Sequence, residues 1–179
     1  EDVVIADRFA AIVGESHALR AEADIAPYVK EPRGLWAGKT ALVLRPGSTA
    51  EVAAILKLAS ETGTAIVPQG GNTGLVGAQM PDGSGRQIVV AMSRMNRIRE
   101  IDLQSNTVTA EAGVILQQLR DVAAGNDRLF PLSLASQGSC QIGGNLSSNA
   151  GGTGVLAYGN ARELCLGVEA VLPTGEVFA

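Results

Sequence analysis

The chain has 179 residues, of which 46% are hydrophobic and 18% are charged. This composition is that of a globular protein of about one domain, and it excludes a disordered or collagen-like chain. The net charge of −4 and the lack of a lysine and arginine cluster argue against nucleic-acid binding, and no apolar run approaches the ~20 residues of a membrane span. Glycine is over-represented, with 22 residues, so we expect segments where backbones or a ligand approach closely.

Helices and strands alternate in the first half of the chain. The predicted order is a helix at residues 3–13, a first strand at 41–46, a second helix, and strands at 64–70 and 87–95. Ser48 and Glu51 form a capping box that opens the second helix. Because strand, helix and strand follow one another within about thirty residues, the pattern favours parallel pairing through a right-handed crossover.

The second half of the chain predicts antiparallel hairpins. Residues 98–112 alternate around a polar turn, a helix follows at 114–124, and residues 166–178 form another hairpin that turns at Pro173–Gly175. The last strand looks cut short after its turn, so we expect the sequence to be part of a longer protein.

The predicted fold class is therefore α+β. We expect a small parallel βαβ sheet joined to a larger, mainly antiparallel sheet with flanking helices. We divide the chain into an N-terminal helical lead-in at residues 1–36 and one domain at residues 37–179.

The stretch PQGGNTGLVG, residues 68–77, places four glycines directly behind an apolar strand. Consecutive glycines can adopt positive φ and turn successive backbone N–H groups inward, which makes a nest that binds an anion. Asn72 and Thr73 add side-chain donors. A diphosphate is the group that fits such a loop, and an ordinary glycine-rich turn is the alternative.

A second segment of similar character spans residues 131–160. It contains five serines, three asparagines and seven glycines, and no helix or strand is predicted within it. A structureless loop of this length is uncommon inside a compact domain unless it is functional. We interpret the segment as the second half of a binding site, since two such loops can line opposite ends of one long ligand.

Two nucleotide-binding motifs are nearly matched and are rejected. RGLWAGKT lacks the P-loop spacing, because three residues instead of four separate Gly34 from Gly38, and it precedes a strand instead of following one. GTGVLA, at residues 152–157, matches a dinucleotide-binding pattern, but no predicted strand precedes it.

The sequence predicts no metal site. Cys140 and Cys165 have a spacing that no zinc motif uses, and His17, the one histidine, is distant from both in sequence. A disulfide is one alternative for the two cysteines, and free buried thiols in a reducing, cytoplasmic compartment are the interpretation that we prefer. The removal of a targeting segment before residue 1 is an alternative that we keep, because the sequence begins at Glu1 and not at a methionine.

Together these motifs resemble a known family. PQGGNTGLVG, then GSCQIGGN, NAGG and YG, then LGVEAVLPTGEV are similar to the FAD-binding domain of the vanillyl-alcohol-oxidase/PCMH flavoproteins. Within that superfamily, the sequence most resembles the branch that contains D-2-hydroxyglutarate and D-lactate dehydrogenases and the FAD subunit of glycolate oxidase. The resemblance covers residues 41–179, with a looser match before them.

The resemblance implies which residues bind FAD. In similar proteins the first loop holds the diphosphate, which implicates Pro68, Gly70, Gly71, Asn72, Thr73, Gly74, Leu75 and Val76. The second segment runs beside the isoalloxazine and ribityl groups, which implicates Pro131, Ser139, Cys140, Gly143, Gly144, Asn145, Ser148, Asn149, Gly152 and Tyr158. We interpret Cys140 as a packing or contact residue, not a redox thiol. Some family members join the flavin covalently to a histidine of the first loop, so Asn72 implies non-covalent FAD.

The resemblance also implies a reaction. A D-2-hydroxy acid of the 2-hydroxyglutarate, lactate or glycolate type is oxidised to the 2-oxo acid, hydride passes to FAD, and a separate electron acceptor takes the electrons. Relatives bind the acid through Arg, Lys and His residues of a C-terminal substrate domain, in some branches with a metal. That domain lies outside this sequence, so the catalytic residues are unknown. The alternative is a flavin-binding or assembly domain without turnover of its own, and a homodimer is left open.

Overall fold

The computed structural model describes residues 2–179, with side chains from Val4 onward. In this part of the chain the α-helices are α1 (Asp2–Val13), α2 (Glu22–Ile25), α3 (Thr49–Thr62), α4 (Leu116–Gly125), α5 (Ile142–Ser147) and α6 (Val155–Tyr158). The strands are β1 (Ala18–Leu19), β2 (Val43–Leu44), β3 (Ile66–Gln69), β4 (Ile88–Ala91), β5 (Ile98–Asp102), β6 (Thr107–Ala110), β7 (Ala170–Val171) and β8 (Val177–Phe178). The predicted α+β class is confirmed.

The chain folds as two compact units. The first unit consists of Glu1–Arg94 and Val168–Ala179, and the second consists of Met95–Gly167. These two units do not coincide with the predicted domains at residues 1–36 and 37–179. The predicted domain boundary stays a prediction.

The first unit is built on a four-stranded sheet with the order β1-β2-β4-β3. Strands β2 and β3 each pair with β4 in parallel, and β1 pairs with β2 antiparallel. The predicted parallel βαβ unit is confirmed, but β4 lies between its two strands. The prediction that residues 41–46 form the first strand is wrong, because β1 precedes them. Two residues are too few for strand β1 to show an alternating pattern.

Both faces of this sheet are covered. Leu44 and Val90 pack in one buried cluster with residues of α1 and α3, while their neighbours Val43 and Val89 pack in another with Ile25 of α2. Successive side chains of a strand point to opposite faces, so a strand covered on both sides is continuously apolar. That is why β4 is buried along its whole length.

Helix α3 begins and ends as the sequence predicts. The Ser48 hydroxyl accepts a hydrogen bond from the Glu51 N–H at 3.2 Å, and the Glu51 carboxylate accepts one from the Gly47 N–H at 2.8 Å. Gly63 ends the helix with a φ of +67°. The first bond satisfies an N–H group that the first turn of a helix leaves open, and the second ties the residue before the N-cap to that turn.

The two predicted hairpins are confirmed, since β5 pairs with β6 and β7 pairs with β8, both antiparallel. Within residues 2–179 they form two separate two-stranded sheets, not the one larger sheet that we expected. The β7–β8 hairpin belongs to the first unit, where the Thr49 hydroxyl donates to the Glu169 carboxylate at 2.5 Å. The β5–β6 hairpin belongs to the second unit.

Candidate functional site

The first glycine-rich loop follows the carboxyl end of β3 and leads into the connection to β4. Because β3 and β4 are parallel neighbours, this connection must return to the opposite edge of the sheet before β4 begins. In open α/β sheets, ligands bind outside the carboxyl ends of the strands. The loop therefore lies where such a sheet offers a binding site.

The backbone N–H groups of this loop are not used by the fold. Within residues 2–179, no N–H between residues 70 and 79 donates a hydrogen bond to another group of the chain. Leu75 and Val76 are 66% and 78% exposed at the tip of the loop. A series of open N–H groups in an accessible turn is the backbone arrangement that binds anions.

Positive φ in this loop occurs where we did not expect it. Among residues 68–77, positive φ occurs at Asn72, with +54°, and at Gly77, with +78°. The expectation that consecutive glycines take this conformation is therefore wrong. Asparagine is one of the few residues other than glycine that adopt it readily. Gly74 instead permits a close approach, because an added Cβ would lie 2.5 Å from the Gln79 side-chain oxygen.

The side chain of Asn72 holds the loop in place. Its Nδ2 donates to the carbonyl oxygens of Pro27 at 3.1 Å and Lys30 at 2.8 Å. Both amide hydrogens are therefore engaged, so the expectation that Asn72 offers a side-chain donor to a ligand is wrong. The Thr73 side chain makes no hydrogen bond within residues 2–179, so its hydroxyl stays available.

Two glutamines that the sequence did not single out complete this arrangement. Gln69, 2% exposed, donates from Nε2 to the carbonyl oxygens of Tyr28 and Gln79, each at 2.9 Å. Gln79 donates from Nε2 to the Gly74 carbonyl at 2.9 Å and the Asn72 Oδ1 at 3.3 Å. A buried amide must find partners, so the polar Gln69 at the end of an apolar strand was the available signal.

The second segment is not structureless. Helices α5 and α6 lie within residues 131–160, which corrects the expectation of one long loop. The segment resembles a loop in sequence because glycine and serine are frequent within α5, and glycines flank the four-residue helix α6. The predicted contact residues lie in the second unit: Pro131, Ser139 and Cys140 before α5, Gly143, Gly144 and Asn145 in α5, Ser148, Asn149 and Gly152 after it, and Tyr158 in α6.

Glycines of the second segment permit close backbone packing. An added Cβ at Gly143 would lie 2.8 Å from the Ala112 side chain. Gly152 has a φ of +127°, and an added Cβ there would overlap the Ser133 carbonyl oxygen. These two glycines serve the local fold of the second unit, whatever else they contact.

Two predicted residues use their side chains within the segment. The Ser148 hydroxyl donates to the Gly144 carbonyl at 2.8 Å, and Asn149 Oδ1 accepts from the Arg162 N–H at 2.9 Å. Asn149 has a φ of +47°. The Ser148 oxygen and the Asn149 NH₂ group keep further hydrogen-bonding capacity.

Two buried amide oxygens have no partner. Oε1 of Gln141, at the N-terminus of α5, and Oδ1 of Asn145, one helical turn later, are buried and accept no hydrogen bond from the residues that the structure describes. A buried acceptor without a donor costs roughly 1–3 kcal/mol, so the site fits a molecule that brings hydroxyl or N–H donors. Gln141 is not among the site residues that the sequence predicts, and no local pattern marks it.

The cysteines are free. Cys140 is buried against Leu116, Leu132 and Ala161, which agrees with a packing role. Cys165 is partly exposed, so the expectation that both thiols are buried is wrong for it.

The described residues contain no group of three or more His, Cys, Asp and Glu side chains that could hold a metal ion. None of the helices in residues 2–179 combines the length and the apolar character that crossing a membrane requires.

Comparison with known proteins identifies the family. Residues 40–179 match the sequence profile of a family described as FAD binding domain. The chain belongs to this family. The resemblance to the vanillyl-alcohol-oxidase/PCMH flavoproteins is thereby confirmed.

Curated relatives of this FAD-binding domain are longer proteins. It is 37% identical over 173 residues to the D-2-hydroxyglutarate–pyruvate transhydrogenase DLD3 of Saccharomyces cerevisiae, covering 96% of this chain and 34% of that protein. It is 42% identical over 140 residues to the mitochondrial D-2-hydroxyglutarate dehydrogenase of Danio rerio, covering 78% of this chain and 26% of that protein. The chain thus spans about a third of the length of these relatives or less.

Solved structures share the fold. An alkyldihydroxyacetonephosphate synthase matches 96% of this chain and 33% of its own with a TM-score of 0.84 at 22% identity. A p-cresol methylhydroxylase with bound substrate matches 98% of this chain and 34% of its own with a TM-score of 0.78 at 22% identity. At this level of identity the likeness concerns the fold alone.

Proposed function

We propose that this domain binds FAD non-covalently and that the first loop binds the diphosphate. The observation that carries the proposal is the series of N–H groups at residues 70–79 without an acceptor in the described chain, at the carboxyl end of β3. A diphosphate brings the oxygen acceptors that these groups need. The proposed contacts are Pro68, Gly70, Gly71, Asn72, Thr73, Gly74, Leu75 and Val76.

In this proposal each side chain of the loop has a limited task. Asn72 fixes the backbone, because its amide hydrogens are donated to Pro27 and Lys30. Thr73 contributes a hydroxyl donor, and the glycines leave space for the phosphate oxygens. Asn72 stands in the part of the loop where some family members carry a histidine joined covalently to the flavin, which supports non-covalent binding.

We propose that the second segment contacts other parts of FAD. The proposed contacts are Pro131, Ser139, Cys140, Gly143, Gly144, Asn145, Ser148, Asn149, Gly152 and Tyr158. The unpartnered oxygens of Gln141 and Asn145 support a ligand with donors, and FAD carries ribose and ribityl hydroxyls and a flavin N–H. Cys140 contributes through packing, since it is 2% exposed.

We further propose that the longer protein oxidises a D-2-hydroxy acid to the 2-oxo acid. The names of the Saccharomyces cerevisiae and Danio rerio relatives support 2-hydroxyglutarate, and lactate and glycolate are the other candidates. FAD, when bound, supplies the two-electron chemistry by accepting hydride from the substrate carbon, and a separate acceptor then receives the electrons. The residues that bind the acid belong, in this proposal, to a C-terminal domain outside this sequence.

The location of the protein stays a prediction. The prediction of a cytoplasmic location rests on the interpretation of the two cysteines as free thiols in a reducing compartment. The name of the Danio rerio relative instead contains the word mitochondrial.

The test is FAD binding by the purified protein. After gel filtration with FAD, we expect flavin absorbance in the protein fraction, and ADP should compete because it shares the diphosphate. Gly71→Asp places a carboxylate in the loop and should abolish binding by charge repulsion, whereas Gly83→Asp, at an exposed glycine with open space around it, is the matched control.

The outcomes separate the alternatives. A folded protein that retains no FAD would refute the proposal, and flavin that stays in an acid-precipitated pellet would contradict non-covalent binding. Turnover of D-2-hydroxy acids with a dye acceptor by the longer protein distinguishes an enzyme from a flavin-binding domain without turnover.

A further inference from the structure

Residues 27–37 form a short hairpin beside the first loop, which we name the clamp. Lys30 bridges to Ala37 antiparallel, and the Glu31 N–H donates to the Trp36 carbonyl at 3.2 Å. The carbonyl oxygens of Pro27, Tyr28 and Lys30 already accept hydrogen bonds from the loop residues Asn72 and Gln69. The clamp is therefore tied to the loop along its first half.

A buried carboxylate shapes the turn of the clamp. The Glu31 side chain is 1% exposed and accepts hydrogen bonds from the N–H groups of Arg33 at 2.8 Å and Leu35 at 2.7 Å. Burial by itself would raise the pKa of Glu31, but these bonds and the Arg33 guanidinium together hold that pKa below its ordinary value. The carboxylate therefore stays ionised at neutral pH.

The ionised carboxylate directs Arg33 toward the loop. Arg33 Nε lies 3.4 Å from a Glu31 oxygen, and Arg33 Nη2 donates to the Leu75 carbonyl at 2.5 Å. A guanidinium is planar, so an Nε–H bound to one group leaves an outer N–H directed at another. Arg33 thus links the buried Glu31 to the tip of the loop, 42 residues away along the chain.

The single tryptophan of the chain completes the contact. An added Cβ at Gly77 would lie 2.7 Å from the Trp36 ring, so the ring packs directly on the backbone of the loop. Trp36 is 47% exposed. Because its ring contacts the backbone at Gly77, its fluorescence reports on the contact between the clamp and the loop.

These contacts share one property. The clamp accepts hydrogen bonds from the side-chain amides of Asn72 and Gln69 and donates one to the Leu75 carbonyl. Its residues accept no hydrogen bond from any backbone N–H between residues 70 and 79. A hairpin that only stabilised the loop could equally use those N–H groups. Here the loop is fixed through its carbonyl and side-chain groups, and its backbone donors are left for another molecule.

We propose that Arg33, held by Glu31, is a positioning residue that orders the loop for an incoming diphosphate. The inference rests on the proposed function, since the diphosphate belongs to FAD. Fixing the Leu75 carbonyl fixes the adjoining peptide plane and hence the direction of the next N–H. Without Arg33, ligand binding has to order the tip of the loop, and that cost lowers affinity.

The test compares Arg33→Met with Arg20→Met in the otherwise intact protein. Arg20 pairs with Asp7 at 2.7 Å, so its loss removes an arginine ion pair that does not involve the loop. We expect Arg33→Met to weaken binding of both FAD and ADP about tenfold, which is the loss expected for one hydrogen bond from a charged donor. Arg33→Lys should recover part of the affinity, because an ammonium can donate to the Leu75 carbonyl but lacks the planar link to Glu31.

Two measurements on the ligand-free protein separate positioning from general stabilisation. We expect Arg33→Met to have a lower thermal midpoint than Arg20→Met, because it leaves the buried Glu31 carboxylate without its guanidinium, whereas the Asp7 side chain that Arg20→Met leaves is 61% exposed. Fluorescence anisotropy of Trp36 should fall in Arg33→Met alone, since the tip of the loop becomes more mobile.

If the wild-type protein binds FAD and ADP, and Arg33→Met binds each ligand as tightly as Arg20→Met does, this inference is overturned and the proposed function is left intact. A Trp36 anisotropy in Arg33→Met equal to that in Arg20→Met, together with a lower thermal midpoint, would also overturn it, in favour of a structural role. A wild-type protein that binds neither ligand would instead overturn the proposed function.

Discussion

Asn72 is the residue on which the shape of the first loop depends most directly. Two variants separate its two contributions: Asn72→Gly removes the side-chain hydrogen bonds but keeps the freedom to adopt a φ of +54°, whereas Asn72→Ala removes the bonds and disfavours that conformation. The ligand-free protein and the FAD complex should respond to both.

The expected magnitudes follow from these contacts. Asn72 donates two hydrogen bonds in a solvent-exposed setting, each of which contributes about 0.5 kcal/mol at the low end of the usual range. Asn72→Gly should therefore lower the free energy of unfolding by about 1 kcal/mol. Asn72→Ala should lower it by about 2 kcal/mol, because a left-handed backbone costs a residue with a Cβ roughly 1 kcal/mol more.

The assay is urea unfolding followed by the fluorescence of Trp36, which lies in the same compact unit, together with FAD titration. A loss of about 1 kcal/mol in loop order corresponds to about fivefold weaker FAD binding for Asn72→Gly. Asn106→Gly is the control, because Asn106 has a φ of +53° in the β5–β6 turn of the second unit. FAD affinity unchanged in both Asn72 variants, or equally affected in Asn106→Gly, would refute the reasoning.

Three further changes test the fold around the two segments. Ser48→Ala removes the cap that accepts the Glu51 N–H and should cost about 1 kcal/mol in urea unfolding. Burial by itself would raise the pKa of Glu111, but hydrogen bonds from its arginine partners hold that pKa below the ordinary 4.5. The ionised Glu111 therefore stabilises the folded state above pH 4.5, and this contribution is lost as the pH falls further. The difference in unfolding free energy between wild type and Glu111→Gln should accordingly shrink in acid. Gly152→Ala should destabilise the second unit by about 2–4 kcal/mol, because its φ is +127° and the new methyl group would overlap a backbone carbonyl, whereas Gly138→Ala, which meets open space, should change little.

Local signals in the sequence were sufficient for much of the fold. The capping box at Ser48 and Glu51 marked the start of α3, and Gly63 matches its end, because caps depend on residues within one turn of each other. The hairpin around Asn106 followed from alternation on both sides of a polar turn. Strand β1 was missed because two residues carry no period.

The candidate site likewise has features that the sequence predicts and features that depend on the tertiary structure. The sequence by itself determined that a glycine-rich loop follows β3 and that a second segment rich in glycine, serine and asparagine comes later, since composition and position after a strand are local properties. Only the tertiary structure decided that the amide hydrogens of Asn72 are spent on Pro27 and Lys30, and that Arg33 reaches the Leu75 carbonyl. These contacts join residues more than forty positions apart, and no periodicity or spacing along the chain encodes which distant carbonyl a side chain will meet.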